Sequence, residues 1–128
     1  MPAPTLSVSD AELEVLKVLW TRGPSTVREV EAQLRRRKRR LAYNTVLTLL
    51  SRLRDKRCVA ADRGATAHVF APIVTREDLL SQGLSALADR VCDGIASPLV
   101  HALVKGERFT SEDISHFRRL LDDLERKD

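Results

Sequence analysis

The chain has 128 residues, 43% of them apolar but only 4% aromatic, enough for one or two small domains packed mainly from Leu, Val and Ala. It has no window of about 18 apolar residues to span a membrane, no export signal in the opening MPAPTLSVSD, and no Cys-x-x-Cys or Cys/His cluster to bind zinc around Cys58 and Cys92. The formal charge of +4 is divided: residues 1–72 carry 14 Lys/Arg against 7 Asp/Glu, or +7, and residues 73–128 carry 8 against 11, or −3.

A soluble, cytoplasmic protein without metal or cofactor is therefore expected, whose first half meets an anion and whose second half, repelled by a polyanion, serves partner contacts. In chain order, Ser9-Asp10-Ala11-Glu12 reads as a capping box. The helix it starts runs to about Thr21, with Leu13, Val15, Leu16, Leu19 and Trp20 inward, and Arg22-Gly23-Pro24 ends it. Ser25 or Thr26 caps a second helix over roughly 26–36, whose inner side carries Val27, Val30, Glu31 and Leu34. Six basic residues, Arg35 to Arg40, follow. They suit the phosphates of a duplex, and Arg39 and Arg40 stand next to the following helix. A solvated loop or attraction to a membrane surface are the alternatives; the latter is disfavoured because the run lies inside a domain and not on a basic amphipathic helix.

The third helix, within LAYNTVLTLLSRLRDKR at 41–57, is the most informative segment. Val46, Leu49, Leu50 and Leu53 fall at i, i+3, i+4 and i+7 and predict a core-facing stripe. At about 100° per residue the opposite side holds Asn44, Thr48, Ser51 and Asp55, flanked by Thr45 and Arg52. Such a face can touch base edges, since Thr and Asn hydrogen-bond them and Arg reaches guanine or phosphate. Taken alone it is also an ordinary exposed helix face, and the adjoining arginine run is what favours DNA.

Beyond Arg57, two alternating stretches around Asp62-Arg63-Gly64 predict a small hairpin that closes at Ala67-His68-Val69-Phe70-Ala71-Pro72. Three helices followed by a hairpin is the order of a winged helix-turn-helix, which places its third helix in the major groove and the hairpin beside it. A helix from 76 to about 93 follows, with Leu79, Leu80, Leu84, Leu87 and Val91 inside. A short helix spans about 97–105 and a last one 111 to about 126, capped by Thr110 or Ser111. Ile114, Phe117, Leu121 and Leu124 form a narrow seam on the last helix, and burial between two copies is the simplest way to keep it dry. The expected fold is mostly α with a β-hairpin wing: a winged-helix DNA-binding domain over 1–74 and a helical dimerisation domain over 75–128. Cys58 with His68 could be drawn as nucleophile and base, but no orienting group or oxyanion donor accompanies them. No enzyme is expected.

The residues themselves resemble the BlaI/MecI family of penicillinase repressors, with the copper-operon repressors as more distant relatives. The resemblance rests on SDAELEVLKVLW at 9–20, STVREV at 25–30, YNTVLTLLSRL at 43–53 and VFAP at 69–72. It implies a dimeric repressor on a palindromic operator of double-stranded DNA, of the kind that controls antibiotic-resistance or stress genes. Carried over, it assigns DNA contacts to Tyr43, Asn44, Thr45, Thr48 and Arg52, a phosphate to Thr26 at a helix start, and the wing contact to Arg63. Dimerisation through the C-terminal helices would use Leu80, Leu84 and Leu87 beside the seam of Ile114, Phe117, Leu121 and Leu124. A regulatory protease is a further partner that the family implies, acting in the best-known members at a bond after asparagine. Here the single asparagine is Asn44, inside the reading helix, so that signal is missing. The Cys-x-Cys pattern of the copper branch is missing too, and Arg57 stands where the family commonly has glycine. A winged-helix adaptor that binds an acidic protein is the alternative function.

Overall fold

A computed structural model describes residues 8–64, 68–106 and 109–127. The chain runs through six helices and a small antiparallel sheet, and its contacts divide it into two compact units, Met1–Gly83 and Leu84–Asp128.

The first unit begins with α1 (Asp10–Arg22), started by the expected capping box. The Ser9 hydroxyl accepts the Glu12 N–H at 3.1 Å, and the Glu12 carboxylate accepts the Ser9 N–H at 2.9 Å. It stops at Gly23, whose φ of +94° belongs to the left-handed region that a side chain disfavours. Thr26 and Glu29 repeat the box for α2 (Val27–Arg36), which takes in the first two arginines of the basic run. Lys38 then turns the chain at φ +62°. The third helix, α3 (Tyr43–Asp55), ends through Arg57 at φ +64°, with the Cys58 N–H donating to the Leu53 carbonyl at 2.8 Å. The wing follows as β2 (Val59–Asp62) and β3 (Val69–Pro72), paired from Val59 with Pro72 to Asp62 with Val69. Ala67, expected in the closing strand, lies outside the described residues.

One element escapes the sequence reading. Ser25 and Thr26 form a two-residue strand, β1, antiparallel to β3, which gives the sheet the order β1-β3-β2. Ser25 is thereby buried, its hydroxyl donating to the Gly23 carbonyl at 2.9 Å, while Thr26 alone caps α2. A two-residue strand has no periodicity to detect; only its partner strand defines it.

The core collects Val15, Leu16, Val18 and Leu19 of α1, Val30 and Leu34 of α2, and all four stripe residues of α3. Phe70, Val59, Cys58 and Val74 close it from the sheet side. Each such side chain contributes about 1.5–3 kcal/mol when removed from water, so together they dominate the stability of this unit. Glu12 is a charged member of this shell at 1% exposure, and its carboxylate meets the Lys56 ammonium at 2.6 Å. Trp20 lies partly buried against the same core and donates its indole N–H to the Val74 carbonyl at 2.9 Å.

α4 (Arg76–Val91) starts with Thr75 and Asp78 bonded reciprocally and passes from the first unit into the second. The second unit continues with α5 (Ser97–Lys105) and α6 (Ser111–Arg126), the latter capped by Thr110 and Asp113. Among its described residues only Ala88 is buried. Phe109 and Phe117 meet edge to face with centroids 4.9 Å apart. Leu80, Leu84, Leu87 and Val91, expected inside, are exposed within the single chain, and Leu79 alone of that stripe packs on the core.

Candidate nucleic-acid interface

α3 presents two chemically opposed sides. Val46, Leu49, Leu50 and Leu53 are buried, while Asn44, Thr45, Thr48 and Arg52 are exposed, with Ser51 half-buried between them. The outer side is less purely polar than the sequence pattern suggests. Leu47 is 36% exposed and Tyr43 is 40% exposed, so a methyl-bearing and an aromatic surface lie among the hydrogen-bonding groups. A leucine in a leucine-rich helix signals core, so the sequence pattern does not set Leu47 apart; its angular position beside Ser51 at the edge of the outer side is what could have revealed it.

Local bonding fixes what the outer groups can do. Thr48 donates its hydroxyl hydrogen to the Asn44 carbonyl one turn back at 2.9 Å. Its free lone pairs are left to accept, so Thr48 is matched to an amino group, such as N4 of cytosine or N6 of adenine. Asn44 keeps a side chain that both donates and accepts. Tyr43 is held from one side by Arg28 of α2, whose guanidinium lies 5.4 Å from the ring centre. Arg28 is exposed and did not figure among the sequence candidates. Fifteen positions separate it from Tyr43, so only the helix-turn-helix brings them together.

The basic run divides by structure. Arg35 pairs with Glu31 at 3.5 Å and Arg37 reaches the Thr21 hydroxyl at 3.4 Å, whereas Arg39 and Arg40 are exposed next to the start of α3. That start has no side-chain cap, since Ala42 occupies the capping position. Beside it lies a recess lined by Glu31, Arg35, Arg40, Leu41 and Ala42, where Glu31 engages Arg35 and leaves Arg40, next to the uncapped helix start, to meet an anion. Thr26 also stands at a helix start, half-buried, its oxygen accepting the Glu29 N–H at 3.2 Å while its own hydrogen can still be donated. The Thr26 backbone N–H, and then Arg22, hold the Glu29 carboxyl below the usual carboxylate range. Arg63 and His68 are exposed at the two inner ends of the wing.

At its other end α3 is tied to α1. Burial by itself would raise the Glu12 carboxyl, but hydrogen bonds and charge from Lys56, with the Ser9 N–H, outweigh burial and hold it below the usual range. Burial pushes the Cys58 thiol up, away from the thiolate that a nucleophile requires. Among the described residues no three His, Cys, Asp or Glu side chains are grouped to hold a metal ion.

The seven apolar residues expected to serve association, Leu80, Leu84, Leu87, Ile114, Phe117, Leu121 and Leu124, are all solvent-exposed, Leu121 and Leu124 at 61% and 62%. Large side chains left that bare on capped, regular helices are unusual within a folded chain.

Comparison with known proteins gives a consistent result. The family described as penicillinase repressor matches residues 8–123. The Transcriptional regulator BlaI of Mycobacterium tuberculosis (strain ATCC 25618 / H37Rv) is 39% identical over 122 residues, spanning 92% of this chain and 85% of its own length. The Penicillinase repressor of Bacillus licheniformis is 24% identical over 116 residues, 91% of this chain and 90% of that one. Among solved structures, the DNA binding domain of the repressor BlaI is similar with a TM-score of 0.52 at 29% identity, over 61% of this chain and 93% of that one. The Bacillus licheniformis BlaI monomeric form in complex with the blaP half-operator gives 0.50 at 29% identity, with the same coverage.

Proposed function

This chain belongs to the penicillinase-repressor family, and from that premise we propose that it is a DNA-binding transcriptional repressor that reads a palindromic operator as a homodimer. The observation that carries the reading is α3, with four apolar residues locked in the core and Asn44, Thr45, Thr48 and Arg52 turned to solvent on the other side. Asn44, Thr48 and Arg52 address base edges, Leu47 offers its methyls to thymine, and Tyr43, steadied by Arg28, lies at the margin. Arg39 and Arg40 by the uncapped helix start, Thr26 at the start of α2 and Arg63 in the wing meet phosphates, fixing the register in which α3 is read.

Residues 1–74 thus form the reading head, and residues 75–128 the dimerisation region. The exposed stripes of α4 and α6 are the surfaces that a second copy covers, and a two-fold dimer sets two reading helices about 34 Å apart, or a multiple of that, to suit one face of the duplex. If proteolysis ends repression, the bond cut in the C-terminal region does not follow asparagine, because Asn44 is the single asparagine. No helix among the described residues is long and apolar enough to cross a membrane.

The test is a mobility shift on duplexes that the protein itself selects from a random pool, titrated with salt. Binding to a palindrome that weakens steeply with salt is expected, because several phosphates are neutralised. Affinity indifferent to salt, or a chain that retains a protein partner and shifts no DNA at low salt, contradicts the reading and favours an adaptor.

A further inference from the structure

α4 contains a glycine that the fold does not require. Gly83 lies in the helix interior with a right-handed backbone, and a Cβ built on it meets nothing within 4 Å. Neither a turn nor a close approach demands its small size. A glycine in the middle of a helix lowers helix stability because it loses the most backbone freedom on folding. Within the single chain no packing offsets this, since Leu80 and Leu84 on either side of it are exposed.

Its position is not arbitrary. Upstream, the chain is fastened to the winged helix: Trp20 donates to the Val74 carbonyl at 2.9 Å, the Arg76 guanidinium stands 5.4 Å from the Trp20 ring, and Leu79 packs on the core. The boundary between the two compact units then falls between Gly83 and Leu84. The helix is therefore weakest at the residue where it leaves the support of the first unit.

We propose that Gly83 is a specificity-determining joint, whose bending lets the reading head adjust to operators with different half-site spacing. The inference rests on the reading of the chain as a dimeric operator-binding repressor. Two heads joined by stiff helices would accept a single separation, because a shift of one base pair both displaces and rotates the second half-site. A weak point between Trp20's anchorage and the helices beyond Gly83 relaxes that demand without touching any group that meets DNA.

The experiment uses the full-length chain and duplexes selected by it from a random pool, resynthesised as a single half-site and as palindromes with zero, one or two base pairs inserted at the centre. Gly83→Ala adds a methyl that meets nothing within 4 Å of its own chain and stiffens the helix. It leaves half-site affinity unchanged, while the affinity lost per inserted base pair becomes roughly three-fold greater than for the wild type. Ser81→Ala, which also favours helix but lies on the anchored side, leaves the spacing profile as it was. Identical profiles for Gly83→Ala and wild type overturn the joint while the operator reading stands, as does a fall in half-site affinity. A wild-type chain that enriches no duplex overturns the operator reading and the joint together.

Discussion

Thr48 shows how one intrahelical hydrogen bond narrows what a side chain can recognise. With its hydrogen committed to the Asn44 carbonyl, the hydroxyl accepts and does not donate. Thr48→Val keeps the shape and removes the acceptor. Its expected effect is a loss of about 1–3 kcal/mol on duplexes whose contacted base offers an amino group, and little change on random DNA. Competition binding with selected and scrambled duplexes measures both, and an equal loss on the two would show that Thr48 reads no base. Cys58 illustrates the opposite case: near Lys56 and Glu12, yet buried and with its thiol kept protonated by that burial, it is a packing residue.

At the level of elements, the end of α3 is held in two ways that act in opposite senses. The Glu12–Lys56 pair ties the C-terminal end of α3 to the first turn of α1. The folded protein holds the Glu12 carboxyl below its ordinary value of 4.5, so this contribution is fully present above that value and is lost as pH falls through the folded one. Glu12→Gln should cost about 2 kcal/mol near neutral pH, the range of a charged hydrogen bond, since Lys56 keeps partial access to water. Urea unfolding as a function of pH checks it: the gap between variant and wild type closes as the pH drops below the carboxylate range, and a gap that stays constant contradicts the assignment. Arg57 acts the other way. Held at φ +64°, it strains the turn from α3 into the wing, and Arg57→Gly should stabilise the fold by about 1 kcal/mol, read from the denaturation midpoint. An unchanged or lowered midpoint would mean that the arginine side chain outweighs the strain.

For the molecule as a whole, the charge divides between a basic first half and an acidic second half, and two apolar seams lie exposed on α4 and α6. The basic first unit holds a packed core of its own, whereas the second keeps Ile114, Phe117, Leu121 and Leu124 in solvent on a well-capped helix. Burying such a seam against a second copy would contribute about 25 cal/mol for each Å² of apolar surface removed from water. Leu124→Asp is accordingly expected to convert a dimer to a monomer, seen by analytical sedimentation, and to abolish tight binding to a palindrome while a single half-site is still bound. A Leu124→Asp variant that still sediments as a dimer would move the interface elsewhere.

Much of this was legible in the residues because helical periodicity is a local property. The stripe Val46, Leu49, Leu50 and Leu53 marks both the core side and, by exclusion, the solvent side of α3, and Ser9, Glu12, Thr26 and Thr110 mark helix starts by chemistry that acts within one turn. Periodicity identifies an apolar face without saying what covers it, which is why Leu80, Leu84 and Leu87 were expected inside and lie in solvent in the single chain. The tertiary structure alone decided the contacts between distant positions: Glu12 with Lys56, Trp20 with Val74, Arg28 with Tyr43, and Ser25-Thr26 with β3. Each joins segments whose own sequences carry no trace of the partner, because a hydrogen bond or ion pair is specified by two positions at once and only the folded chain brings them together.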